Sequence, residues 1–254
     1  MSADMIFDLT AIYHATGTSM TSFSHDFLPS PEHTAVTGST IRGRGAAGIP
    51  SSPVLALFDF DGTLIKGDSL WHFLGHTHGF LRRLLVLATL LPTLLAAFAR
   101  PERKDAAKEK LLARFYKGMS EKNLESHGKY FARAILPGLH QITIFNRMLW
   151  HKQQGHRVIV VSASPELWIL PWCRLYGVEG LATRFSYEQG LFNGRFSGKN
   201  CNREEKTRRV REHVPDYERY AAFVYGDSDG DIDMLRMANA GAFRVIHGQL
   251  QQIA

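Results

Sequence analysis

The run Val54-Leu-Ala-Leu-Phe58-Asp59-Phe60-Asp61-Gly62-Thr63-Leu64 decides the fold. Its five consecutive apolar residues, Val54 to Phe58, predict a strand buried on both faces, as parallel strands flanked by helices are. The strand delivers two carboxylates and a hydroxyl at its carboxyl end, where open α/β sheets place their ligands. Gly62 breaks the extended run into a turn, so Asp59 and Asp61 can converge. Two carboxylates held close and short of counter-charge repel each other and ask for a metal ion. An acidic strand-to-helix turn in which Asp61 or Thr63 only caps a helix uses the same residues, so the rest of the chain has to decide.

The 254 residues, 44% of them hydrophobic, can bury a real core and suit one α/β domain with an insert. Only Cys173 and Cys201 are present, which argues against a disulfide framework and fits a reducing compartment. The net charge of +6 suits nucleic acid, anionic lipid or phosphorylated substrates, and no Lys/Arg run is dense enough to choose. Residues 1–50 are rich in Ser, Thr, Gly and His and lack a sustained apolar period. They read as a disordered tail or linker, with a small partner-binding arm as the alternative. No charged-then-apolar signal peptide opens the chain.

Residues 68–136 read as a helical, apolar insert. An uncharged run from Leu84 to Ala99 is interrupted by Pro92 and bordered by Arg82, Arg83, Arg100, Arg103 and Lys104. As a helix it spans roughly 24 Å, short of a bilayer core of about 30 Å. Pro92 predicts a kink or a hairpin. Two readings stand: an interfacial or re-entrant segment at an anionic leaflet, or two buried helices packed face to face. From Lys104 to Leu136 the pattern is amphipathic, with Ala107, Leu111, Leu112 and Phe115 at helical spacing and a second helix through Leu124, Tyr130, Phe131 and Ile135. Such an insert can close over a site and exclude water.

The stretch 138–155 predicts a helix ending at Gly155, followed by a second buried strand over Arg157–Val161. That strand ends in Ser162-Ala-Ser164-Pro165, where a small hydroxyl and a helix start suit a phosphate; a plain N-cap serine is the alternative. Thr183 to Gly198 reads as strands with turns at Gln189-Gly190 and Asn193-Gly194, the latter the stronger hairpin signal. A third strand, Ala221 to Tyr225, runs into Gly226-Asp227-Ser-Asp229-Gly-Asp231-Ile-Asp233. Four carboxylates so close cannot lie together uncompensated. An EF-hand is excluded, because the position that needs its bidentate Glu is Ala238. Val245 begins a last strand.

Asp59-Phe-Asp61-Gly-Thr63, the strand ending in Ser162, Lys206 and Gly226-Asp227 with Asp231 resemble, in that order, the four motifs of the haloacid dehalogenase superfamily of phosphohydrolases. The resemblance covers roughly residues 54–247, and Gly190 to Gly198 followed by Asn200 and Lys206 is similar to the branch that contains phosphoserine phosphatase. It implies an α/β fold: a doubly wound parallel sheet from residues 51–67 and 137–254, with 68–136 as a cap inserted after the first strand. It implies Asp59 as nucleophile and Asp61 as general acid and base. Ser162 and Lys206 would bind the phosphoryl oxygens. Mg2+ would be held by Asp59, the backbone carbonyl of Asp61 and Asp227, with Asp231 supporting the shell and Thr63 shaping the loop. An acid at position 61 favours phosphate transfer over dehalogenation. Phosphoserine phosphatases carry a Glu nine positions after the nucleophile, where this chain has the shorter Asp68. The apolar insert, its basic borders and the ending Gly248-Gln-Leu-Gln-Gln resemble instead the bacterial phosphatidylglycerophosphatase C group. The partners implied are a phosphorylated small molecule or lipid and an anionic membrane surface, with no nucleic acid. The location implied is the cytoplasm, free or at the inner face of the membrane.

Overall fold

The computed structural model describes residues 52–100 and 103–253, so the tail expected over 1–50 lies outside the described residues. The central strand is β1 (Val54–Phe58), with the bounds its apolar run sets. β2 (Arg157–Pro165) lies parallel on one side of it and β6 (Ala221–Gly226) parallel on the other. β3 (Glu179–Thr183) adds beyond β2, and β7 (Gly241–Ile246) and β8 (Gln249–Gln252) add beyond β6, giving the order β3-β2-β1-β6-β7-β8. Only the last pair, β7 with β8, is antiparallel. The neighbours of β1 come from opposite directions in the order, so its carboxyl end opens into a crevice between β2 and β6.

Alternation along β1 feeds two cores. Ala56 and Phe58 join one apolar cluster and Leu55 and Leu57 another, on opposite faces of the sheet. Helices cover both faces, which is why β1 carries no polar residue before Asp59.

The segment between β1 and β2 holds α1 (Ser69–Thr77), α2 (Phe80–Ala99), α3 (Lys104–Tyr116), α4 (Glu121–Tyr130) and α5 (Ile142–Gln153). α4 runs on through a π turn over Phe131–Ile135 and a 3-10 turn over Leu136–Leu139. After β2 follow α6 (Glu166–Tyr176), α7 (Glu204–His213) and the short α8 (Ile232–Leu235). Gly128 of α4 seats the insert: a Cβ there would stand 2.2 Å from the Leu167 carbonyl oxygen of α6, so only glycine lets the two helices approach this closely. Leu111, Leu112 and Phe115 of α3 share one apolar cluster with Phe60, Leu64 and Trp168.

Four expectations change. The strand expected to stop at Val161 continues to Pro165, with an irregularity in its register against β3, so Pro165 stands at the N-cap of α6. The hairpin of β4 (Phe185–Glu188) and β5 (Leu191–Phe196) turns at Gln189-Gly190, with φ of 51° and 75°, and Asn193-Gly194 lies inside β5. Gly194 serves packing there, since a Cβ would stand 2.8 Å from Ala113 Cβ of α3. Val245 falls late in β7 rather than opening a strand, and the chain turns back at His247-Gly248. The Leu84–Ala99 run is part of α2, a single helix that continues across Pro92 without a hairpin. Among the described residues no helix is long and apolar enough to cross a membrane.

Candidate active site

The loop after β1 is fixed by its own backbone. Asp59 N–H still donates to the Tyr225 carbonyl of β6 at 2.9 Å, so Asp59 rides on the sheet. Gly62 and Leu64 then donate to Gly67 and Phe60, closing a tight turn. Gly62 has φ of 77°, and a Cβ there would lie 2.1 Å from Asp227 Oδ2. The acidic loops after β1 and β6 therefore touch through a bare glycine. Thr63 is buried and its hydroxyl reaches Asp227 Oδ1 at 3.5 Å, while the Gln141 side chain donates to the Gly62 carbonyl.

Three carboxylates converge here. Asp59, Asp227 and Asp231 each offer an oxygen, and these atoms lie within 4.8 Å of one another. Lys206 of α7, only 2% exposed, donates to Asp59 Oδ1 and to Asp231 Oδ1 at 2.6 Å. Asp231 Oδ2 accepts from Ser228 N–H and hydroxyl at 3.1 and 2.8 Å, so both of its oxygens are engaged. Asp59 and Asp227 each keep an oxygen that accepts no hydrogen bond among the described residues. Of the four acids after β6, Asp229 and Asp233 point away, towards Arg244 and Arg236.

The electrostatics follow from one ammonium set among three acids, Asp59 and Asp231 buried and bonded to it and Asp227 half-buried beside them. Burial, then Asp231, push Asp59 well above the usual carboxylate range, against the pull of Lys206. Burial and Asp231 raise Asp227 to about 6. Burial opposes ionisation of Asp231, but Lys206 and Ser228 overcome it and hold Asp231 below the ordinary value. Lys206 is driven up by the two carboxylates despite its burial. The surplus of oxygen donors over cations, with free lone pairs on Asp59 and Asp227, fits a hard divalent cation. The side chain of Asp61 stands outside this cluster, and Asp231 stands inside it.

Asp61 has a separate setting. Its Oδ1 accepts from Ser69 N–H at 2.6 Å and its Oδ2 from the Ser164 hydroxyl. The Ser69 and Ser164 hydroxyls lie 2.9 Å apart, and Trp168 Nε1 donates to Ser69 Oγ at 3.0 Å. Burial, then Asp68, raise the Asp61 carboxyl. Asp68 itself is exposed and caps α1 by accepting from Leu70 N–H at 2.8 Å. Ser162 is fully buried, and its oxygen accepts the Ser164 N–H at 3.0 Å, which leaves its own proton to donate.

Asp59, Asp227, Asp231 and Lys206 thus come together, Asp61 stands beside them, and Ser162 lies at the same end of β2 as Ser164, which bonds Asp61. Ser164, Ser69, Trp168 and Gln141 were not singled out in the sequence. Ser164 had a signal, because it repeats the Ser162 side-chain direction two residues on in an extended strand. Ser69 and Gln141 had none, since only the docking of the insert and of the segment before α5 brings them in.

The profile of the haloacid dehalogenase-like hydrolase family matches residues 56–236. Protein CicA of Caulobacter vibrioides is 33% identical over 201 residues, covering 78% of this chain and 88% of the relative. A histidinol-phosphatase of Neisseria meningitidis is 27% identical, covering 73% and 87%. Among solved structures, a phospho-aspartyl intermediate analogue of phosphoserine phosphatase superposes with a TM-score of 0.52 at 17% identity, covering 74% of this chain and 84% of that one.

Proposed function

From the premise that this chain belongs to the haloacid dehalogenase-like hydrolase family, we propose that it is a phosphatase that cleaves phosphate monoesters through an aspartyl-phosphate on Asp59. One observation carries the reading. Two carboxylates two residues apart sit in different environments, Asp59 on Lys206 and Asp61 between Ser69 and Ser164. An Asp59 oxygen attacks phosphorus, the bond to the leaving oxygen breaks, and Asp61 gives that oxygen its proton. Asp61, raised by burial, suits a proton donor and then takes a proton from the water that splits the intermediate. Lys206 and the Ser162 hydroxyl donate to the phosphoryl oxygens as charge builds. Asp59, Asp227 and the Asp61 carbonyl would hold Mg2+, with Asp231 acting through Lys206. A bound Mg2+ supplies positive charge that offsets repulsion between the carboxylates and the phosphate.

The test is phosphate release in the presence of Mg2+, comparing the wild type with Asp59→Asn. The variant should lose at least about a thousandfold in kcat while keeping its helical signal. Full activity in the variant would remove Asp59 from its role.

We take the substrate to be a lipid phosphate monoester such as phosphatidylglycerophosphate. The exposed face of α2 favours it. Phe80 (68% exposed), Leu81 (73%), Leu84 (53%), Leu85 (68%) and Leu91 (54%) recur at helical spacing with nothing covering them among the described residues. Exposed Arg82, Arg100, Arg103 and Lys104 lie at the two ends, where the headgroups of an anionic leaflet would meet them. A small phosphorylated metabolite is the second reading, favoured by the similarity to a histidinol-phosphatase. Phosphatidylglycerophosphate in micelles against free phosphoserine and histidinol phosphate decides between them. Preference for a free metabolite, with no binding to anionic vesicles, would end the lipid reading.

A further inference from the structure

α2 is apolar on two sides and covered on one. Val86, Leu87 and Leu90 pack against the apolar cluster under the insert, yet none of the described side chains of α2 is fully buried. The other side leaves Leu81, Leu84 and Leu85 in water. A helix apolar all round belongs inside a core or a lipid phase. α1 extends this surface, because Trp71 is 45% exposed whereas Trp168 and Trp172 are fully buried. Between Ser69 and Arg100 the chain carries three arginines, three histidines and no Asp or Glu. An apolar surface whose only charge is basic complements an anionic leaflet.

The two helices are joined tightly. Only His78 and Gly79 separate them, and Arg83 of α2 lies across α1, where a Cβ on Gly75 would stand 3.3 Å from its Nη1. Arg83 Nε is buried with no hydrogen-bond partner among the described residues. The same α1 reaches the active site. Ser69, its first residue, gives its N–H to Asp61 Oδ1 at 2.6 Å, and Leu70, Phe73 and Leu74 anchor the inner side of the helix. Trp71 on the outside is two residues from that donor.

We propose that the outer face of α1 and α2 docks on an anionic phospholipid leaflet, and that docking fixes α1 so that Ser69 N–H holds Asp61. The leaflet is then an activator, and it raises turnover even of a substrate that is not a lipid. The proposal rests on the phosphatase reading above and adds a regulation of that site. An element held by partial burial alone lies at the low end of local stability, so α2 and the α1 joined to it leave their seat most readily. The seated pair presents Trp71 and the α2 face as one surface. A leaflet that binds this arrangement better than the lifted one shifts the population towards it.

The experiment uses the full chain with Mg2+ and soluble p-nitrophenyl phosphate. Vesicles of equal parts phosphatidylglycerol and phosphatidylcholine are compared with phosphatidylcholine alone; neither lipid carries a phosphate monoester. The anionic vesicles should bind the protein, shift Trp71 emission to the blue and raise kcat about three- to tenfold, the order expected from orienting one general acid. The emission shift should vanish in Trp71→Phe. Leu81→Glu with Leu85→Glu should lose both binding and stimulation. The route through α1 has its own test. Proline is tolerated at the first position of a helix, and Asp68 before it is already extended. Ser69→Pro removes the N–H and should bind vesicles without being stimulated, whereas Ser69→Ala removes only the hydroxyl and should still respond. Binding without stimulation, equal stimulation by neutral vesicles, or a Ser69→Pro variant that still responds would each overturn the proposal. So would absence of vesicle binding, the result expected if a second copy or residues 1–50 cover this face. Failure of the phosphatase reading looks different: no phosphate would be released with or without vesicles, although the protein still bound them.

Discussion

Replacing Lys206 with Met removes the ammonium that bonds two of the three clustered acids. Lys206 is 2% exposed, Asp231 1% and Asp59 6%, so the surrounding protein offers little water to take over. Breaking a buried pair by deleting one partner costs about 3–5 kcal/mol, a large share of a stability of about 5–15 kcal/mol. The cost depends on pH, with a definite sign. In the wild type Asp231 is held below its usual value, so it contributes stability above the unfolded carboxylate range and loses it as the pH falls. In Lys206→Met only the Ser228 hydrogen bonds still oppose the burial of Asp231, so Asp231 moves up towards Asp59 and the variant loses stability as the pH rises. The gap therefore widens from acid to neutral pH. Urea unfolding in EDTA should give about 3–5 kcal/mol of destabilisation near pH 8 and about half of that or less near pH 5. Mg2+ should then raise the midpoint of the variant more than that of the wild type, because the acids have lost the one cation that bonds them among the described residues. A difference below about 1 kcal/mol near pH 8, or the same difference at both pH values, would refute the picture of one lysine neutralising buried acids.

Gly62→Ala forces a Cβ to within 2.1 Å of Asp227 Oδ2 at a φ of 77°. It should cost about 1–3 kcal/mol in unfolding free energy and about 100-fold in phosphate release; wild-type kinetics would mean that the two loops need not touch. Ser164→Ala removes the hydroxyl on Asp61 Oδ2 while leaving Ser69 N–H on Oδ1. It should lower kcat about tenfold with little change in KM, and a rise in KM alone would place Ser164 in substrate binding instead.

How much of this was legible depends on where each residue's environment is made. β1 was read with its observed bounds because five apolar residues in a row need no distant partner to declare a buried strand. The end of β2 was not, since Ser-Ala-Ser-Pro has the composition of a loop. Thr183 on the neighbouring strand bonds the Ala163 carbonyl and keeps the segment extended. The hairpin was misplaced for the opposite reason. Asn193-Gly194 carries the stronger local turn signal, but its glycine lies in β5 with φ of 90°, pressed against Ala113, and the turn falls to Gln189-Gly190. A local preference of this kind is small beside the packing of a helix on a strand.

The site divides along the same line. Asp59, Asp61, Asp227 and Asp231 follow strand ends that the apolar runs mark, so their convergence at one crevice comes with the parallel sheet. Lys206 could be picked out only by its order along the chain, because nothing in an Arg-rich helix distinguishes the one cation that turns inward. Ser69 and Lys108 sit in ordinary helical sequence and matter only because the insert is docked. Their placement gives the insert a part in the chemistry proposed here. Asp61 is held on one oxygen by the insert, through Ser69 N–H, and on the other by the core, through Ser164. Lys108 of α3 makes a second link from the insert, to the Ala163 carbonyl beside Ser164 in β2. An insert that lifts to admit substrate takes away one of the two donors on Asp61 and the cation beside it. Both donors on Asp61 are in place only with the insert seated on the core, so the orientation of the acid depends on that docking.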